Sequence, residues 1–400
     1  MIRSHNLSEK ERSRRIARAV VSAVAGMFMV LATAGQCYAQ LANLQITPTG
    51  APTGACSGTI FTPAQFNNSS NWGNATGKIG NGTQILVCGT FTGGAGTGEL
   101  TFQGGGASGN PIVMSCDTGT NFTAPYWGYS GNAAIVVNGF NYITLNGAGC
   151  TIQNTQNGSG LAHAAASTGI YVNNTTGVTV ENFTIENLCQ HTSFADTVGC
   201  QTSSVWDASI LASSNSNFTV QGNTISNTNT AIEYACGSSD ANLTFTQNTI
   251  TSVNWGVAVG LNGSATACAN AVISDNNISN LVTWDSSVPT AFHHDPIIVY
   301  VGSGTATIPS PLINANKIHG DNGLDATAWI FVQQNTGTIV PIITNNLLDN
   351  SATPLHAPND GFIYIPSGDV YSNTIFCNNL TLTGIAGSAI QRIGKSKFRA

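Results

Sequence analysis

Only 8% of the residues in this 400-residue chain are charged, 42% are apolar, and the formal net charge is −6. So many apolar residues, recurring in short β-branched runs, argue against a disordered chain. Between Gln40 and Ile390 the only cations are Lys78 and Lys317, which argues against a nucleic acid or an anionic membrane as partner.

Residues 1–39 have the pattern of a cleaved secretory signal. A basic stretch precedes an apolar run over residues 19–34, and small residues flank a predicted cut after Ala39. The run is shorter than the ~20 residues that a membrane span needs. A lipid anchor at Cys37 is a weaker alternative, because Gln36 stands where a small residue is expected. We expect a secreted, periplasmic or cell-surface protein whose mature chain carries a net charge of −10.

Residues 40–80 are rich in Thr, Gly, Pro and Asn, which predicts an irregular cap over the first strand edge. Strand-like runs separated by Gly-rich turns then fill residues 81–394. The first of these runs are 85–87, 100–102, 111–114, 134–137 and 142–145. No change of composition suggests a second domain, and a short basic tail, 395–400, ends the chain.

One phrase recurs along the second half: an apolar residue, two residues, Asn, one residue, then Ile or Leu. Its asparagines are Asn223, Asn248, Asn276, Asn316, Asn346 and Asn373. A repeat of about two dozen residues with insertions of variable length indicates stacked units rather than a globular core.

A second phrase alternates with the first. It begins with a small polar residue, which is usually followed by a small residue or Pro, and it continues as a strand. Its copies begin at Thr168, Asp207, Thr230, Asn254, Asp295, Thr327 and Asp360. Two short strands per unit exclude a solenoid of alternating strands and helices. They predict an all-β chain wound as a parallel β-helix.

These alternating phrases resemble the repeats of the pectin-lyase-like superfamily over residues 82–393. The opening, Gly82-Thr-Gln-Ile-Leu-Val87 with Gly109-Asn-Pro-Ile-Val113, is similar to the start of such domains. The resemblance implies a single-stranded right-handed parallel β-helix, with loop insertions along one sheet edge. It implies no single activity, because the superfamily includes lyases, glycoside hydrolases, esterases, phage tailspikes and adhesins.

Stacked coils would place the repeated asparagines in a ladder, with the Ile and Leu of each phrase beside it as core. Lys317 lies between the inward positions Asn316 and Ile318. Strand alternation therefore predicts that Lys317 points outward.

The second phrase offers candidates for catalysis, since its first residues would line one edge of one sheet. Asp295 and Asp360 are two coils apart, which corresponds to roughly 10 Å. The acid and base of an inverting glycosidase are about 6.5–9.5 Å apart. We therefore predict Asp295 and Asp360 as a catalytic pair, with His294 or His356 tuning the pKa of one of them.

Long insertions before these edge positions contain histidines, tryptophans and carboxylates. They would wall a groove that suits an extended sugar chain. The predicted substrate-binding residues are Asp207, Trp206, Trp284, His293, Asp325 and His319.

Other interpretations stay open. An Asp before a strand led by Gly or Pro is often only a turn former that bonds its own backbone. A glycoside hydrolase without a cofactor is the favoured function. A lyase on uronate chains would need Ca²⁺, held by Asp295, Asp321 and Asp325, and Lys317 or a histidine as base; no arginine lies between residues 18 and 392. A glycan-binding protein without activity is the third function.

Nine of the ten cysteines follow the predicted cut, and none forms a CxxC motif. In an exported protein this indicates disulfides rather than metal ligands. The expected pairs are Cys189 with Cys200, Cys236 with Cys268, Cys116 with Cys150 and Cys56 with Cys88, which leaves Cys377 over.

Overall fold

Stacked coils of parallel strands build this protein. The computed structural model describes residues 41–191, 200–202, 205–238, 240–262, 266–281, 294–322, 326–335, 337–351, 358, 361–377, 390–392 and 397–399. The predicted secretory segment lies outside these ranges, and no helix within them is long and apolar enough to cross a membrane.

The first of three sheets has thirteen strands in the described ranges, all paired in parallel. In spatial order they are Ile60–Phe61, Asn43–Ile46, Gln84–Val87, Ile112–Cys116, Ile143–Asn146, Val178–Glu181, Ser216–Gln221, Ala241–Thr246, Val272–Ser274, Leu312–Asn314, Ile342–Thr344, Asp369–Tyr371 and Lys397–Arg399. Because Asn43–Ile46 pairs with Gln84–Val87, this sheet extends into the segment predicted as a cap.

The second and third sheets run side by side. The second contains Thr90–Thr92, Thr120–Ala124, Cys150–Asn154, Thr184–Glu186, Asn277–Ser279, Lys317–His319, Leu347–Asn350 and Thr374–Cys377. The third contains Leu100–Thr101, Ile135–Asn138, Thr168–Asn173, Ala208–Ser213, Ile297–Ser303, Ile330–Gln334, Ile363–Ile365 and Ile390–Arg392. Two long strands, Thr224–Ala235 and Thr249–Asn262, pass through both sheets and join them. This arrangement confirms the predicted parallel β-helix.

Short elements complete the described chain. A helix, Pro63–Phe66, and 3-10 turns, Ser69–Asn71 and Ser130–Asn132, lie outside the sheets. Gln201–Thr202 pairs antiparallel with Val205–Trp206, and Thr307–Ile308 pairs in parallel with Thr338–Ile339. The rings of Phe66, Trp72 and Phe102 pack together within the core, with centroids 4.9 to 5.6 Å apart.

Stacked aliphatic side chains fill the interior, because alternate residues of each strand point inward. In the second sheet, Ile185, Ile225, Ile250, Ile278, Ile318 and Leu348 pair in register from coil to coil and are fully buried. Lys317 lies between two of the inward positions and is exposed, as predicted.

The predicted asparagine ladder runs along the turn between the first and second sheets. The side-chain oxygen of Asn248 accepts from the backbone N–H and the side-chain amide of Asn223, at 3.1 and 3.0 Å. The same pair of bonds recurs at each step up to Asn373. The residue before each asparagine is left-handed, with φ of 55 to 65°: Gly222, Gln247, Asp275, Ala315, Asn345 and Ser372.

Four disulfides connect the described cysteines as predicted. They are Cys56–Cys88, Cys116–Cys150, Cys189–Cys200 and Cys236–Cys268. The side chain of Cys377 lies outside the description.

Candidate functional site

The structure places three predicted site residues in the interior of the turns that lead into the third sheet. Asp207 and Asp295 are 0% exposed and His294 is 3% exposed. The Asp295 carboxylate accepts a hydrogen bond from the backbone N–H of Ala328 at 2.8 Å. His294 Nδ1 is hydrogen-bonded to the side-chain oxygen of Asn254. Asp207 and Asp295 thus accept hydrogen bonds from backbone N–H groups, as the turn-former interpretation expects.

The pairing register also separates residues that the sequence places in one row. Val257 pairs with Ile297, so counting back two residues sets Asp295 opposite Trp255 rather than opposite Asn254. The hydrogen bond between His294 and Asn254 agrees with this register. The predicted row is therefore two rows offset by one residue: Thr168, Thr230 and Asp295 are in line, and Asp207, Asn254 and Thr327 belong to the neighbouring row.

Several predicted site residues lie outside the described residues. They are Asp360, His356, Trp284, His293 and Asp325. Trp206 belongs to the strand Val205–Trp206, but its side chain is also outside the description. The pairing of Asp295 with Asp360 therefore stays a prediction.

His319 lies on the second sheet rather than on the third. Its Nε2 is hydrogen-bonded to the side-chain oxygen of Asn277 at 2.9 Å. Partial burial and the charge of Lys317 lower its pKa, while Asp349 on the next strand opposes that change. His319 and Lys317 thus lie together on the second sheet, on a different face from the third sheet.

The predicted Ca²⁺ ligands do not form a described site. The Asp295 carboxylate is buried against the backbone N–H of Ala328, which suits a turn cap more than a cation ligand. No group of three or more His, Cys, Asp or Glu side chains within the described ranges is arranged to hold a metal ion. Asp325 lies outside those ranges.

A different feature stands out on the outer face of the third sheet. One outward position per coil forms an in-register row across eight strands. The row is Val136, Tyr171, Leu211, Glu233, Ala258, Ile298, Phe331 and Tyr364. Glu233 is the one carboxylate in the described strands of this sheet, and it lies among apolar and aromatic neighbours.

Tyr129 and Tyr300 lie close enough to Glu233 to feel its charge, and Tyr171 is two strands away in the same row. We call the four residues Tyr129, Tyr171, Glu233 and Tyr300 the Glu233 face. All four side chains are partly exposed. The Tyr300 ring lies over Gly260, where a methyl group would collide with it. Tyr129 precedes the turn Ser130–Asn132, which is held to the sheet by the Ser130 N–H donating to Thr168 Oγ1 at 3.2 Å.

Burial raises the pKa of Glu233 to about 7. Burial, and then the nearby negative charge of Glu233, raise the pKa of Tyr129 and of Tyr300 to about 12. A carboxyl group with a pKa near 7 is partly protonated at neutral pH, so it can donate a hydrogen bond or a proton. This electrostatic coupling also indicates that the phenols and the carboxyl group are close together.

Asp207 lies behind this face, and its pKa is affected by the charge of Glu233. Burial raises the pKa of Asp207 to about 7, and the charge of Glu233 adds to the rise. Hydrogen bonds that Asp207 accepts from Thr228 Oγ1 at 2.7 Å and from the Asn229 N–H at 2.8 Å act in the opposite direction and lower the pKa. Since Asp207 is fully buried, it has no surface for a ligand.

Aromatic surface continues along the helix axis beyond Glu233. The rings of Phe331 and Tyr364 have centroids 5.0 Å apart. Trp255, Tyr300 and Tyr364 are partly buried against the apolar cluster Ala258, Ile298, Ala328 and Phe331. The outer face of the third sheet thus carries an apolar and aromatic strip from the Glu233 face to the last coils.

Sequence reasoning missed the Glu233 face, although a signal was present. Glu233 belongs to the second phrase in its copy Thr230-Ala-Ile-Glu-Tyr. The fourth residue of the phrase, which is Glu233 here, is apolar or aromatic in the other copies: Tyr171, Ile210, Val257, Ile298, Ile330 and Ile363. An alignment of the copies would have shown a single carboxylate in a row of apolar and aromatic residues.

Comparisons with known proteins add little to this description. No protein-family model matches the chain, and no curated protein matches its sequence. Among solved structures it is similar to the crystal structure of pectate lyase Pel9A, at 12% identity with a TM-score of 0.40, over 87% of this chain and 79% of that chain. At this level of similarity, no functional conclusion is drawn from that structure.

Proposed function

We propose that this protein binds a polysaccharide along the outer face of the third sheet and hydrolyses it, with Glu233 as the general acid. The observation that carries the proposal is a partly exposed glutamate on the outer face of the sheet whose pKa burial raises to about 7. A general acid is most effective when its pKa is close to the working pH. At neutral pH a substantial fraction of Glu233 would carry the proton that a glycosidic oxygen accepts.

Aromatic residues around Glu233 support a sugar as the ligand. Tyrosine rings pack against the C–H faces of sugars, and their hydroxyl groups exchange hydrogen bonds with sugar hydroxyls. Between Glu233 and Tyr364 the outer face of the third sheet spans four strand spacings, which is about 19 Å. That length suits a chain of several sugars rather than a single one.

This proposal moves the acid role from Asp295 to Glu233. The strand Ile363–Ile365, which follows Asp360, is four strands away from Glu233. That distance of about 19 Å exceeds the separation of a catalytic carboxylate pair. Asp207 is the carboxylate coupled to Glu233, and as a buried group it is proposed as a positioning residue.

The test compares wild type with Glu233→Gln and with Glu186→Gln, a control on the second sheet. Reducing ends released from a panel of polysaccharides report hydrolysis. We expect Glu233→Gln to lower turnover by about 100-fold or more, because it removes the acid, while polymer binding and the Glu186→Gln variant stay close to wild type. Wild-type turnover should also fall as the pH rises above about 7. Unchanged turnover in Glu233→Gln would contradict the proposal.

Glycan binding without catalysis is the second candidate. It is favoured by the presence of one carboxylate in the described strands of the third sheet, since most glycosidases need two. Its signature is a wild-type protein that retards a polysaccharide in affinity electrophoresis but releases no reducing ends from it.

A lyase has less support. Its candidate base Lys317 lies on the second sheet, away from the Glu233 face. Products with near-ultraviolet absorbance, formed only with Ca²⁺ present, would favour the lyase over hydrolysis.

Export from the cytosol is part of the proposal. Four disulfides suit an oxidising compartment, and the predicted signal over residues 1–39 supplies a route. The N-terminal sequence of the secreted protein would test the cut after Ala39.

A further inference from the structure

We propose that the Glu233 face takes a neutral polysaccharide and rejects polyuronates. This inference rests on the proposed function and specifies its substrate class. It follows from the charges that can reach the face.

No lysine or arginine lies on the described third-sheet strands from Thr168–Asn173 to Ile363–Ile365; the nearest arginine of this sheet, Arg392, ends the strand Ile390–Arg392, five strand spacings or about 24 Å from Glu233. From residue 79 to residue 391 the sequence contains one cation, Lys317. That lysine is on the second sheet, beside His319. This count includes the residues between 79 and 391 that the structure does not describe, so those residues contain no lysine or arginine.

The charges that do exist near the face are negative. Glu233 lies within it, and Asp207 lies behind it with a pKa that responds to Glu233. At and above about pH 7, where Glu233 becomes ionised, a bound uronate would bring another carboxylate close to it, and like charges at short distance in a partly desolvated site repel strongly. The mature chain, at a predicted net charge of −10, would also repel a polyanion during approach.

The groups on the face are instead suited to neutral sugars. Tyr129, Tyr171 and Tyr300 offer rings and phenolic hydroxyl groups, and Gln333 pairs in register with Tyr300 on the next strand. Such groups hydrogen-bond hydroxyls without a charge and stack on C–H surfaces.

A matched pair of polymers tests the inference: polygalacturonate and its methyl ester, which share a backbone and differ in charge. Binding to the full-length mature protein is measured by affinity electrophoresis, with neutral xylan, mannan and β-glucan in parallel. At about 20 mM salt we expect the methyl ester to bind about tenfold more tightly than the polyanion, with the ratio shrinking at about 0.5 M salt as screening increases. Glu233→Gln should reduce the ratio, and the control Glu186→Gln should not.

The possible results separate the inference from the proposed function. Equal or tighter binding of polygalacturonate would overturn the preference for neutral chains and leave glycan binding in place. Tighter binding of polygalacturonate only with added Ca²⁺ would also overturn it, because a metal would then supply the missing charge. Binding of none of these polymers would count against the proposed function itself.

Discussion

At the scale of single residues, two carboxyl groups with similar pKa values have different surroundings. Asp207 is fully buried and caps a turn through Thr228 and Asn229. Glu233 is on the outer face and keeps some exposed surface. Burial raises the pKa of both groups to about 7, but only Glu233 can meet a ligand. Accessibility, more than the pKa, therefore distinguishes the structural carboxyl from the candidate acid.

The buried Asp207 should make stability depend on pH. Its pKa rises from 3.8 in the unfolded chain to about 7 in the fold, so the folded state binds the extra proton between these values. Stability from this group is fully present below about pH 4 and is lost as the pH rises to about 7, by up to about 4 kcal/mol. Thermal unfolding of wild type and Asp207→Asn from pH 4 to 8 measures it. The variant should lose less stability over this range, and parallel curves would contradict the expectation.

Gly260 has no side chain, and we expect that this leaves the space that the Tyr300 ring needs. A methyl group there would collide with the Tyr300 ring, so Gly260→Ala should displace the ring and weaken polysaccharide binding about tenfold. A double-mutant cycle provides the control. If the effect acts through the ring, then Gly260→Ala with Tyr300→Ala should bind no more weakly than Tyr300→Ala alone. Additive losses would show that Gly260 acts in another way.

At the scale of elements, the asparagine ladder explains why the turn between the first and second sheets is uniform. Gln247, Asp275 and Ala315 are left-handed although none is glycine, a conformation that costs about 1–2 kcal/mol. Each is followed by a buried asparagine that bonds the backbone of neighbouring coils. The ladder therefore holds the turns in a conformation that their own residues do not favour.

Removing one asparagine of the ladder should lower the free energy of unfolding substantially. Asn248→Ala leaves the backbone N–H of Asn223 without its acceptor and removes the bonds from Asn248 to Val220 and Asn276. We expect a loss of about 3 kcal/mol or more. The control is Asn314→Ala, a partly exposed asparagine that accepts one side-chain bond from Asn345, with an expected loss of about 0.5 kcal/mol. Denaturant unfolding compares them, and similar losses would refute a special role for the ladder.

At the scale of the whole molecule, each coil contacts only its neighbours, so cross-links between coils matter more than in a globular core. The bridge Cys236–Cys268 spans 32 residues and connects turns of successive repeats, whereas Cys189–Cys200 spans 11 residues within one insertion. The longer closed loop restricts the unfolded chain more.

Replacing both cysteines of one bridge by alanine should therefore show a graded effect. Loop entropy gives about 3.7 kcal/mol for Cys236–Cys268 and about 2.8 kcal/mol for Cys189–Cys200. Thermal unfolding of the two double variants, with oxidised wild type as reference, measures the order. A larger loss on removing Cys189–Cys200 would contradict the loop-length argument.

The sequence by itself determined the architecture, because strand alternation and a repeated phrase are local properties. The position of Asn248 within its phrase was sufficient to predict the ladder, and the repeat spacing was sufficient to predict the bridge Cys236–Cys268. The site depended on tertiary structure. Whether Asp295 or Glu233 meets solvent is decided by the pairing register between coils and by what packs over each turn. A shift of one residue exchanges inward and outward positions. Only the folded molecule shows Asp295 enclosed by a turn and Glu233 presented among tyrosines.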